Sequence, residues 1–232
     1  MAPPFSLSGF SMADAAALAL LYGLWLGIGW MIEHPPARRP SVSMLMAQYR
    51  LDWMRQFVTR QPRIFDASIL ANLRQSTAFF ASACMITLGG GIAVIGNSER
   101  LDMVAADLTI EAEGAVLEMK LLLVLLFVAN ALLKFIWSHR LFGYCSVMMA
   151  AVPNEASDPQ AYPRAAAAGQ INITAARSFN RGLRSIYFAL AALGWIFGPL
   201  ALTVTCLITA AVLIRREFIS ESRRVILLCS GV

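Results

Sequence analysis

Four long apolar runs, at about residues 15–32, 76–96, 121–137 and 185–214, constrain this chain more than anything else in it. About 20 apolar residues in a helix, rising 1.5 Å each, cover the roughly 30 Å hydrocarbon core of a bilayer. The composition agrees: 58% hydrophobic residues, 14% charged and a mean hydropathy of +0.63 lie outside the soluble globular range. The sequence therefore predicts an all-α integral membrane bundle, a single domain over 1–232, with four transmembrane helices. Further interfacial or extended helices are expected on its cytoplasmic side, from segments 33–75 and 139–184.

Charge gives the bundle a direction. Segment 33–75 holds seven arginines and 139–184 holds five, from Arg140 to Arg184. Segment 97–119 holds only Arg100, against six acids. The positive-inside rule puts the two basic segments in the cytoplasm of a bacterial inner membrane, which leaves both termini outside. Arg215, Arg216, Arg223 and Arg224 in the tail dissent. Pro199 stands in the middle of the last run, so the expectation there is one proline-kinked, tilted span. Two half-helices folding back at Gly198-Pro199 would return the tail to the cytoplasm, but such a break has to be shielded by protein.

The net charge of +5 is carried by segments that flank the membrane. Anionic lipid headgroups on the cytoplasmic side are thus the expected partner, and nucleic acid is not. Cys84, Cys145, Cys206 and Cys229 form no C-x-x-C pair, so neither a disulfide framework nor a zinc signature is present. The first run lacks the cationic leader of a secretory signal and reads as a helix.

Punctuation marks the elements. Ser11 or Asp14 can cap the first helix, which carries Gly23-x-x-x-Gly27 and stops before Pro35-Pro36. In 41–60, Val42, Leu45, Met46, Tyr49, Trp53 and Phe57 share one face of a helix. That helix either lies at the headgroup level or packs on its own protein. From Ala67 to Gly96 no proline interrupts, so one helix can begin in the cytoplasm and continue through the membrane. A third runs from near Gly114 past Arg140, and 165–184 leads helically into the last span.

Three constellations could carry function. Asn130, Lys134 and Ser138 form a polar stripe on the third span, and an embedded charge marks either a pathway or a helix-pairing site. Arg177, Arg181 and Arg184 form a second stripe before the last span. With Arg74 and Arg140 at similar depth, they could bind lipid phosphate or ring a cytoplasmic mouth that favours anions. His34 and His139, both at cytoplasmic span ends, are the only candidates for a b-type haem. No phosphate-binding loop, H-E-x-x-H or G-x-S-x-G occurs, so no catalytic residue, metal or resident cofactor is expected.

Tyr22-Gly23, the stretch Arg63-Ile64-Phe65-Asp66 to Phe79-Phe80-Ala81-Ser82, and Lys134-Phe135-Ile136-Trp137-Ser138-His139-Arg140 together resemble the bacterial membrane family called domain of unknown function 599. The resemblance covers about residues 15–215. It implies a multi-span membrane protein without an established activity and supplies no site residues. The function expected from the residues is a non-enzymatic, homo-oligomeric channel or permeation protein for a small ion or solute. The alternatives are an accessory or scaffold subunit of a larger membrane complex and, behind it, a haem redox protein.

Overall fold

The computed structural model describes residues 10–97 and 114–230. The acidic connection expected opposite the basic face falls mostly between them, outside the described residues. No strand occurs among the described residues. In order the helices are α1 (Met12–Glu33), α2 (Val42–Thr59), α3 (Ile64–Ile95), α4 (Gly114–Ala150), α5 (Ala161–Ala192), α6 (Pro199–Phe218) and α7 (Glu221–Ser230), with a short 3-10 turn, Leu193–Phe197, between α5 and α6. Four stretches are long and apolar enough to cross a membrane: Met12–Glu33, Ile64–Ile95, Val116–Ala150 and Pro199–Leu228.

Both candidate caps of α1 are used at once. The Ser11 hydroxyl accepts from the Asp14 amide at 3.2 Å, and the Asp14 carboxylate accepts from the Ser11 amide at 3.0 Å. This reciprocal capping box satisfies donors that the first helical turn would otherwise leave open. At the other end, Ser41 caps α2 and donates to the Ile32 carbonyl at 2.8 Å, which fastens α2 to the foot of α1. α2 packs on its own protein: Met54, Phe57 and Val58 are buried, while Met46 faces outward.

The last apolar run departs from the single kinked span. α5 ends at Ala192, and the chain reverses at Gly198, whose φ of 107° and ψ of 175° belong to a region open essentially to glycine alone. Pro199 then opens α6 at a position where its missing N–H costs nothing. The reversal is tight because Gly194 has no side chain: a methyl there would lie 2.5 Å from the Thr205 hydroxyl and 3.0 Å from the Ala201 carbonyl. Thr205 instead donates to the Ala191 carbonyl at 2.7 Å. The turn has the shielding that a broken backbone needs, since the Trp195 indole donates to Asp14 of α1 at 2.7 Å and Lys120 of α4 sits over its ring.

α6 therefore returns alongside α5. Near its end, Glu217 accepts from the Ser43 amide at 3.1 Å and the Ser43 hydroxyl at 3.0 Å, at the start of α2. Arg223, in α7, donates to the Pro40 carbonyl at 3.0 Å. The first helix begins at the Asp14–Trp195 end and α6 finishes at the opposite one. Met12, at the start of α1, and Phe218, at the end of α6, therefore lie at opposite ends of the bundle. The tail arginines join those of 33–75 and 139–184 at one basic end.

Two hydrophobic cores are stacked along the bundle. One gathers α1, α4, the end of α5 and α6 around Leu21, Phe135, Phe188 and Leu202. The other joins α2, the start of α3, the end of α4 and the start of α5 around Met54, Phe142, Cys145 and Ala168. α4 and α5 run through both. At 37 residues and 1.5 Å per residue, α4 is roughly 55 Å long, well beyond a bilayer core.

Candidate functional site

Of the arginine stripe on α5, Arg184 is buried between neighbouring helices, whereas Arg177 and Arg181 stay exposed. Arg181 donates through Nε at 2.9 Å, and through a terminal nitrogen, to the two carboxylate oxygens of Glu33, the last residue of α1. Arg184 donates to the same carboxylate. The Arg184 side chain is 9% exposed and Glu33 13%, whereas Arg181 is 46% exposed. One carboxylate thus serves two guanidinium groups where α1 meets α5. Fork-shaped, charge-assisted pairing of this kind fixes geometry as well as charge.

On one side of this pair lies a cleft of about 280 Å³, lined by Trp25, Gly29, Asn130, Lys134 and Ser185 together with Glu33, Arg181 and Arg184. Asn130 donates to the Ser185 hydroxyl at 2.6 Å, and Ser185 donates on to the Arg181 carbonyl. The Lys134 ammonium has no carboxylate partner among the described residues, while its carbonyl accepts from Ser178 at 3.0 Å.

On the other side lies a second cleft, of about 260 Å³, bounded by α1, α2, α5 and α6. Glu33 and Arg184 line it too, with Arg50, Arg177, Asn180 and Glu217. Its carboxylates are engaged: Glu33 by two arginines and Glu217 by Ser43. Among the described residues Arg50 bonds to the neutral Asn172 side chain alone. Burial pushes the Arg50 guanidinium down from its ordinary pKa, yet a guanidinium keeps its proton at any physiological pH. The lining thus sets Arg50, Arg177 and Arg184 against Glu33 and Glu217, which leaves the second cleft with an excess of one positive charge.

The sequence-derived candidates divide accordingly. Asn130, Lys134, Arg181 and Arg184 converge on the first cleft, and Arg177 lines the second. Ser138 is a staple, donating to the Ala175 carbonyl at 2.7 Å from a fully buried position. Arg140 is engaged with Tyr144 on its own helix, and Arg74 lies on α3. Within one chain these arginines form no ring. The His34 ring stacks on Trp30 and meets the Trp30 carbonyl at 3.2 Å. His139 instead faces α3, with Nδ1 at 3.3 Å from both the Arg74 carbonyl and the Thr77 hydroxyl. The two histidines are engaged in different places. Among the described residues no group of three or more His, Cys, Asp or Glu could hold a metal ion.

Sequence reasoning missed Glu33, Arg50 and Glu217. Glu33 did carry a signal: a carboxylate closing an apolar helix at the depth of an arginine stripe. Its partners, about 150 residues away, carry none that points back to it.

The sequence model of a family described as "Protein of unknown function, DUF599" matches residues 16–222, which includes every residue of both clefts. The chain belongs to the DUF599 family. No curated protein and no solved structure matches it. For this DUF599 chain the two clefts and the ion pair between them are thus what a functional reading has to rest on.

Proposed function

We propose that this DUF599 protein is a non-enzymatic, homo-oligomeric membrane protein that passes a small anion or anionic solute, with the Glu33–Arg184 pair as the closure of its path. One observation carries the reading: these two residues line both clefts, so the ion pair is the wall between them. The second cleft offers Arg50 and Arg177 to an entering anion. Beyond the wall, Lys134 and Asn130 offer a charge and a donor within the membrane half. An anion that competes with Glu33 for Arg184 would loosen the pair and join the two clefts, since rings and clusters of fixed cations select anions at such constrictions. A polar cleft opening sideways into hydrocarbon is unfavourable, and a second copy of the chain would close it. The basic end is assigned to the cytoplasm of a bacterial inner membrane, with the amino terminus outside and the carboxyl terminus inside; all three arginine-rich segments then obey the positive-inside rule.

Anion flux from proteoliposomes tests this. Lys134→Ala should lower the flux. Glu33→Gln should raise the basal leak, at a stability cost of about 3 kcal/mol for leaving Arg184 without its counter-charge. Wild-type flux in both variants removes the path. A second reading, an accessory subunit of a larger complex, is favoured by α3. Among the described residues its extensive contact is with α4 alone, and Phe79, Met85, Ile86 and Ile92 on its membrane stretch are exposed there. Co-purification with another membrane protein at fixed stoichiometry would support that reading over the first.

A further inference from the structure

A third cleft, of about 370 Å³, lies away from the proposed path, between α3 and the far end of α4. Arg63 and Arg74 both line it. Arg63 immediately precedes α3 and Arg74 lies three turns further along, so both border the same side of the helix. Arg63 is anchored by its terminal nitrogens, which donate to the Val152 carbonyl at 2.9 Å and the Pro153 carbonyl at 2.8 Å at the end of α4, and to the Val58 carbonyl. Its guanidinium sits 4.5 Å over the Phe57 ring. Its Nε remains buried without an acceptor. The Arg74 Nε is also buried without an acceptor, and no side-chain donor of Arg74 has a partner among the described residues. Both Nε atoms are closed off from the cleft, so the donors that Arg74 offers to it are its terminal nitrogens, which are accessible and bond to nothing among the described residues; an acceptor from outside the chain can complete them.

The chemistry of that acceptor follows from its surroundings. Asp66, the carboxylate one turn from Arg63, is engaged through Oδ1 by Arg60 and Trp53, and its Oδ2 is buried without a partner and without a bond to Arg63 or Arg74. Two unneutralised guanidinium groups favour an oxyanion with several acceptor oxygens, and phosphate matches the guanidinium fork. The rest of the lining includes Phe57, Leu70, Ala71 and Met149, an apolar wall that bare inorganic phosphate would not use. Depth narrows the choice further. The Arg74 carbonyl meets His139, the neighbour of Arg140, and Arg74 lies just outside the apolar run that begins near Ser76. That is the level at which phospholipid phosphates lie. We infer that the α3–α4 cleft is a phosphate site, formed by the terminal nitrogens of Arg74 beside the positive charge of Arg63, that takes the headgroup of an anionic phospholipid at the basic surface of the membrane.

Thermal unfolding of the full-length protein in detergent micelles tests this, with phosphatidylglycerol, phosphatidylcholine or inorganic phosphate added in separate titrations. The expected result is a saturable rise in Tm with phosphatidylglycerol and none with phosphatidylcholine. The half-saturating concentration should rise about tenfold or more in Arg74→Ala, the scale of one lost charged hydrogen bond. Ala71→Leu, which narrows the cleft without touching a charge, should weaken binding similarly. Arg55→Ala, at an exposed arginine paired with Asp52 on α2, should leave it unchanged. If inorganic phosphate alone gives the same saturable rise, lost in the same two variants, the phosphate site stands and its source is a free anion. If no phosphate-bearing additive saturates, or both variants keep wild-type affinity, the site is overturned.

Discussion

Gly198 decides more about this molecule than any other single residue. Its φ of 107° with ψ of 175° turns an apolar stretch that would otherwise be one helix into an antiparallel pair. A side chain in this region strains the backbone by about 2 kcal/mol. Space is not the obstacle, because a methyl at Gly198 would meet nothing within 4 Å. Gly198→Ala should therefore destabilise the protein by about that amount, read as a lower midpoint of chemical unfolding in micelles. A wild-type midpoint would show that the turn tolerates an L-residue. The dipeptide Gly198-Pro199 was visible in the sequence, and so was the option of a fold-back. What the sequence could not supply was the shielding. Asp14 and Lys120, which cover Trp195 at the turn, come from α1 and α4, far away along the chain.

At the level of elements, the sequence was read correctly wherever the information is local. The capping of α1 at Ser11 and Asp14, the uninterrupted α3 and the long α4 all follow from residues within a few turns of one another. For α2 the periodicity placed Val42, Leu45, Met46, Tyr49, Trp53 and Phe57 on one face, whereas the buried side is turned toward Met54, Phe57 and Val58 and leaves Met46 exposed, because it is set by the helix that covers it. The cover is α5, where Gly169 lets Leu51 and Met54 approach closely. The direction of α6 was lost for a similar reason: a charge count treats an uncharged run as one crossing, whereas Gly198 makes it two legs. The resulting arrangement predicts sidedness. In a cysteine-free background, single cysteines at Arg55 and Arg224 should react with a membrane-impermeant thiol reagent from the same face, and one at Met12 from the opposite face. All three positions are exposed. Labelling of the Met12 and Arg224 positions from one common side would restore the single kinked span.

Taken whole, the molecule is a membrane bundle that continues as a second packed layer beyond the basic face, and its site belongs to the seam between the two. Residues that announced themselves, such as the arginine stripe of α5 and the Asn130–Lys134 pair, did so because charge within or beside an apolar run is rare. Glu33, Arg50 and Glu217 stayed hidden because their meaning depends on which helices meet, not on their own neighbours. α4 and α5 pass through both cores, so the layers should unfold as one cooperative unit. Phe142 is 2% exposed in the outer core, and Phe142→Ala should cost about 3–4 kcal/mol through the cavity it leaves. Two tryptophans report on the layers separately: Trp195, bonded to Asp14 in the membrane core, and Trp53, bonded to Asp66 beside the outer one. In single-tryptophan variants retaining one or the other, Phe142→Ala should shift both fluorescence transitions to the same lower denaturant concentration. A shift confined to Trp53, with the Trp195 transition unmoved, would instead mean that the outer layer unfolds independently and that the seam holding Glu33 and Arg184 is a boundary between two folding units.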